Sequence, residues 1–332
     1  MLTVFRERPP IVLEAQKAQF KPHFIIQVFI FIGIFLASQV AMSIPMLIFG
    51  AVYGFRAGLS SAVSDAVGPN DREAMNNVIL EAMSDMLLPY LFLTIFLIIF
   101  AIIYCRSVEK RSLYSMGFNR KKAFSDYITG LLIGFLMFSA AVLIAFLCGT
   151  LTFDGFVLED GIYLLLAFFA GFMIQGMGEE VLTRGYFMIS LANRSSLLLA
   201  VLTNSVLFAL LHSFNNAVDT LPLVNIALFG IFASIYTLKM NSIWGISAVH
   251  TAWNFVQGNV FGISVSGNPV KVSLLSFRPK EVGTIINGGA FGLEGGLAVT
   301  TVLVISIIIL LSLDGRELKA EVPESAHLLN RA

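Results

Sequence analysis

Three groups of polar and ionisable side chains interrupt apolar runs in this chain: Glu179, Glu180 and Arg184; His212; and His250 with Asn254. A charged group at membrane depth costs at least about 2.5–3.5 kcal/mol on insertion scales, so such groups are functional candidates. Together they make a hydrolytic set. A carboxylate can deprotonate water, while His and Asn can donate to a developing oxyanion. The same Glu179, His212 and His250 can instead hold zinc and leave one position open for water.

Helical spacing sorts these residues. Neighbours on a helix point about 100° apart, so Glu179 and Glu180 address different surroundings. Glu180 and Arg184 are four apart and can pair along one face, which leaves Glu179 free. His250 and Asn254 repeat that spacing, and Phe208 is set beside His212 in the same way. From the expected inner ends of their helices, Glu179 lies about 16 Å deep, His250 about 14 Å and His212 about 20–24 Å. Gly171, Gly176, Gly178 and Gly185 surround the glutamates and allow close helix approach or room for a ligand.

The elements that carry them must be membrane helices. The chain has 332 residues, 57% hydrophobic and 13% charged, against about 25% charged in soluble domains. A crossing helix needs about 20 apolar residues. On that rule an all-α, polytopic membrane bundle of eight spans is expected near 24–50, 87–105, 127–149, 162–190, 196–214, 221–238, 241–261 and 296–313. With both termini cytoplasmic, most of the 21 Lys and Arg fall in inner segments. The first outer loop is acidic. The stretch 262–295 is the exception in charge, and its Gly-rich end (GGAFGLEGG) is expected to re-enter the bundle in part.

Zero net charge argues against a nucleic-acid partner. Cys105 and Cys148 close successive spans and are expected on opposite faces, unpaired. Arg184 suits two roles, an inner-face anchor and the partner of Glu180. The basic cluster from Arg106 to Lys122 is expected to contact lipid headgroups, and the 30 phenylalanines to face lipid.

EEVLTR (179–184), FALLH (208–212) and HTAWN (250–254) fit EExxxR, FxxxH and HxxxN, in that order and on separate helices. This resembles the CPBP family: type II CAAX prenyl proteases and bacteriocin-processing enzymes, also called the ABI or abortive-infection family. The stretch from Ser273 to Gly296 looks like bacterial members. The resemblance covers 160–262 as a catalytic core, between a three-span region at 1–159 and an outer loop, last span and tail at 263–332. It implies an intramembrane endopeptidase in the cell membrane, acting on a membrane-associated or lipid-tethered peptide or protein. Glu179 and His212 would activate water, His250 and Asn254 would stabilise the oxyanion, and Glu180 and Arg184 would complete the first motif. The cofactor stays open: none, or a divalent metal such as Zn2+ on Glu179, His212 and His250. Two other classes remain as alternatives: a scaffold or bacteriocin-immunity protein of this fold that binds without cutting, and a proton-coupled transporter.

Overall fold

A computed structural model describes residues 3–61, 85–158 and 161–313. Most of the acidic outer loop and the tail from 314 lie outside the described residues. The chain is mostly helical. After a short α1 (Pro10–Ala15) come α2 (Phe24–Ser61), α3 (Asp85–Ser107), α4 (Ala123–Leu147) and α5 (Ile162–Ala192). Then follow α6 (Leu197–Leu211), α7 (Thr220–Met240), α8 (Trp244–Phe255), a four-residue α9 (Thr284–Asn287) and α10 (Leu297–Ser312). Two strands, β1 (Leu151–Phe156) and β2 (Leu275–Pro279), pair antiparallel.

Among the described residues, five helices are long and apolar enough to cross a membrane: α2 over Phe24–Val52, α3, α4, α5 and α7. Of the other three expected spans, α6 and α10 are shorter apolar helices. The third divides into α8 and a π-helical turn, Val256–Val260. Apolar side chains all round these helices suit lipid on one side and partners on the other.

The helix carrying His250 and Asn254 is fixed by small residues. Gly130 and Gly134 of α4 form a GxxxG pair, the pattern that lets membrane helices approach closely. A methyl group built on Gly130 would stand 2.1 Å from the Gly245 carbonyl oxygen, and one on Gly134 2.5 Å from that of Val249. On the other side of α8, a Cβ at Gly176 of α5 would meet the Thr251 nitrogen at 2.9 Å. Gly176 therefore serves close approach, not ligand space. Tyr127 of α4 adds a hydroxyl contact to Thr251 at 3.3 Å.

The two faces of the bundle are tied by different means. On one, β1 pairs with β2, and Arg278 grips Asp154 with two bonds of 2.6 and 2.9 Å. Those bonds hold the Asp154 carboxyl below the usual carboxylate range. On the other, Asn241 ends α7 in the left-handed region, accepts from Ile11 N at 2.8 Å and donates to the Tyr114 hydroxyl at 2.8 Å. Beside it Arg111 meets Glu109 at 2.7 Å, both almost fully buried. Ser190 and Gln27 donate to the same carboxylate. The headgroup role expected of the whole 106–122 cluster thus fails for Arg111, which is sequestered by Glu109. Cys105 and Cys148 are both free thiols.

Candidate active site

Glu179 and Glu180 close the α-helical part of α5, and Val181–Met188 continues it as a π-helix. Insertions of this kind recur at functional sites because they shift side chains without breaking a helix. The two carboxylates part as their spacing requires. Glu180 is fully buried, while the Glu179 side chain keeps 19% of its surface exposed. Arg184 reaches back from the π segment to donate from Nη1 to Glu180 Oε1 at 3.0 Å and to Thr183 Oγ1 at 2.8 Å. Its guanidinium lies 4.3 Å over the Phe208 ring, a cation–π contact. With no exposed surface, Arg184 is the partner of Glu180 and not an inner-face anchor.

Ser196 caps α6 by accepting from Leu199 N at 3.2 Å, and the helix ends at His212. There the Nδ1 of His212 bonds the Phe208 carbonyl oxygen at 2.8 Å. A carbonyl only accepts, so Nδ1 carries a hydrogen, and in the neutral ring Nε2 is the nitrogen with the lone pair. His250 is held likewise: its Nδ1 donates to Glu180 Oε1 at 2.9 Å. Glu180 therefore receives both Arg184 and His250 on one oxygen and sets the ring's direction.

The three elements converge on one oxygen. Glu179 Oε2 stands 3.8 Å from Nε2 of His212 and 3.8 Å from Nε2 of His250. Among the described residues nothing donates to that oxygen. Three lone-pair groups around one point require shared hydrogens, which a water molecule or a protonated imidazole supplies. The expected site residues are thus brought together, with Asn254 one helical turn from His250.

Gln175 was not anticipated. Its Nε2 donates to Glu179 Oε1 at 2.6 Å, and its Oε1 accepts from Asn254 Nδ2 at 2.9 Å. It was visible as the only amide in the run 163–178, one turn before Glu179. Spacing set Phe208 beside His212, as the structure has it with ring centroids 4.7 Å apart; the rest of the aromatic wall was not specified. Phe208 and Phe229 face His250 with ring centroids 6.3 and 5.1 Å away, so these phenylalanines shape the site and do not face lipid.

Two cavities meet at these groups. A large one, about 530 Å³, is lined by Glu179 and Thr183, by Phe35 and Met46 of α2 and by Tyr90 and Leu91 of α3. A small one, about 40 Å³, lies towards α7 and α10, beside His250, Phe229 and Trp253. Both are lined by Gln175, Phe208, His212, Asn254 and Ser266, which form the neck between them.

The donor types suit zinc, and each imidazole has its second nitrogen held, as metal-bound histidines do. The spacing does not suit it. Ligands about 2.0–2.1 Å from a tetrahedral zinc stand about 3.4 Å apart, against 3.8 Å here. Among the described residues no three His, Cys, Asp or Glu are grouped to hold a metal ion. The residues as arranged fit a water molecule better than a metal.

Residues 161–256, which carry all three motifs, match the family model described as type II CAAX prenyl endopeptidase Rce1-like. Comparison with curated proteins and with solved structures returns no match.

Proposed function

We propose that this chain, a member of the CPBP family through its Rce1-like segment at 161–256, is an intramembrane endopeptidase that activates water with Glu179. The observation that carries the reading is the bare Glu179 Oε2, facing two imidazole Nε2 atoms at the neck between two cavities. A membrane protease of the CAAX type is what the family match supports; the residue roles below are our own reading.

A water molecule at the neck gives one proton to Glu179 Oε2 and donates its other hydrogen to His212 Nε2. The hydroxide adds to the scissile carbonyl carbon. Negative charge develops on the carbonyl oxygen, where the second N–H of Asn254 Nδ2 donates, its first being held by Gln175. In its doubly protonated form His250 adds Nε2–H to the same oxygen, with Nδ1–H remaining on Glu180. Glu179 then returns its proton to the nitrogen as the C–N bond breaks, which leaves a carboxylic acid and an amine. Glu180 and Arg184 touch no reacting atom in this scheme. They hold His250 and the ring of Phe208, and they neutralise each other inside the bundle.

The large cavity, apolar along α2 and α3, suits a membrane-associated or lipid-tethered peptide. The test compares peptide termini in membranes and medium from cells lacking the protein, restored with wild type or Glu179→Gln. Termini that appear only with wild type support proteolysis and identify the substrate. Identical termini with both versions would overturn the reading in favour of a protein that binds without cutting.

A further inference from the structure

Glu294 is a carboxylate drawn inside the bundle by the Gly-rich stretch expected to re-enter it in part. Gly289–Phe291 and Leu293–Gly295 form two 3-10 turns that bury Phe291, Leu293 and Glu294. The turn between them needs glycine: Gly292 has φ +100°, and a Cβ there would stand 2.1 Å from the Ser264 carbonyl oxygen. Glu294 ends within reach of the neck and accepts three hydrogen bonds. Trp253 Nε1 donates to Oε1 at 3.0 Å, and Ser266 donates to Oε2 from its N at 2.9 Å and its Oγ at 2.8 Å.

A buried carboxylate is a costly way to tie down a loop unless it is fully bonded. What it supplies that an amide or hydroxyl lacks is a group that only accepts. Facing it, the Ser266 hydroxyl has to spend its hydrogen on Glu294 and keeps only lone pairs for the neck. Ser266 is itself held at φ +48°, a conformation uncommon for residues with a Cβ. Ser266 lines both cavities alongside His212 and Asn254.

A peptide in this apolar setting has to find acceptors for its backbone N–H groups, because lipid and apolar walls provide none. Most acceptors near the neck are taken. Gln175 Oε1 holds Asn254, Glu179 Oε1 holds Gln175, and Glu180 Oε1 holds Arg184 and His250. Among the described residues nothing donates to Ser266 Oγ.

We infer that Ser266 Oγ accepts a backbone N–H of the substrate beside the scissile bond, and that Glu294 is the positioning residue that fixes this hydroxyl as an acceptor. Both lie beyond the matched segment 161–256. The inference rests on the peptidase reading above and adds a binding contact to it.

The test uses the full-length protein in detergent and a short synthetic peptide spanning a cut site mapped in cells. Parallel peptides carry an ester oxygen in place of one backbone N–H at a time around the cut. With wild type, one of these replacements lowers kcat/KM about tenfold, the worth of one good hydrogen bond. Ser266→Gly suits the positive φ and removes the hydroxyl. It loses about the same factor on the amide peptide, and the sensitive ester then costs it nothing further. Glu294→Gln, whose amide can donate and so lets the hydroxyl turn, shows a smaller rise in KM with kcat retained. An ester penalty that persists in Ser266→Gly, or no ester-sensitive position in wild type, overturns the inference while leaving the peptidase reading standing. Wild type that cuts no peptide overturns both.

Discussion

Gln175 donates to Oε1 of Glu179 at 2.6 Å, so a neutral amide one turn earlier decides which carboxylate oxygen is left without a donor among the described residues. Because the same side chain accepts from Asn254, it also aims the amide proposed to receive the oxyanion. Gln175→Leu keeps the helix and removes both bonds. A kcat lower by about 10–100-fold, typical of losing a group that orients a reacting one, is expected with little change in thermal midpoint. An unchanged kcat would show that Glu179 and Asn254 orient themselves.

Glu179→Gln is isosteric and cannot take a proton. Loss of a general base costs about 10²–10⁴-fold, so cleavage of the mapped peptide should fall by at least about 100-fold while the purified protein elutes and melts as wild type does. Residual activity near wild type would move the base elsewhere.

The buried pair of Glu180 and Arg184 separates stability from chemistry. Glu180→Ala leaves the guanidinium unpaired where neither side chain has exposed surface, at a cost of about 3–5 kcal/mol. The double replacement Glu180→Gln with Arg184→Met should recover much of that loss in a denaturation assay. It should remain inactive, since a neutral amide holds the His250 ring less firmly. Recovery of activity along with stability would reduce the pair to a structural role.

Packing at α4 should reach the site through α8. A Cβ on Gly134 already falls 2.5 Å from the Val249 carbonyl oxygen, so Gly134→Leu must push α8 outward and move His250 and Asn254. Overpacking of this kind costs about 1–3 kcal/mol, and activity is expected to drop with it. Leu132→Ala, on the outward side of α4 at 58% exposure, is the control expected to change neither.

The wide spacing of Glu179 and the two histidines predicts that EDTA and 1,10-phenanthroline leave the cleavage rate unchanged. A rate lost to chelation and restored by added Zn2+ would mean that the three side chains close around a metal during turnover.

The polar cluster of the candidate site was legible in the sequence because ionisable side chains are rare in apolar runs and four-residue spacing survives as a shared helical face. The bundle was legible for the same reason: long apolar runs leave few other folds. Other features escaped. The π segments after Glu180 and Phe255 are written in ordinary helix-forming residues, and only packing against neighbours reveals the changed register. Arg184 and Arg111 read equally well as surface cations, and only their buried carboxylate partners decide otherwise. Phe229, unlike Phe208 with its four-residue spacing from His212, carries no mark separating it from lipid-facing phenylalanines. The glycines from Gly288 to Gly296 suggested re-entry, yet the contact from Glu294 to Ser266 spans 28 positions and depends on a turn that spacing alone does not specify.

The walls of the large cavity have an evolutionary consequence. Its far side comes from α2 and α3, whereas the groups proposed to cut come from α5, α6 and α8. Part of what a substrate would meet in that cavity is therefore encoded apart from the groups proposed to cut. Changes at Phe35, Met46 or Tyr90 can alter what is admitted while the glutamate and histidines stay untouched. A lineage built this way could keep the proposed reaction and shift its substrates in part by drift in its first helices.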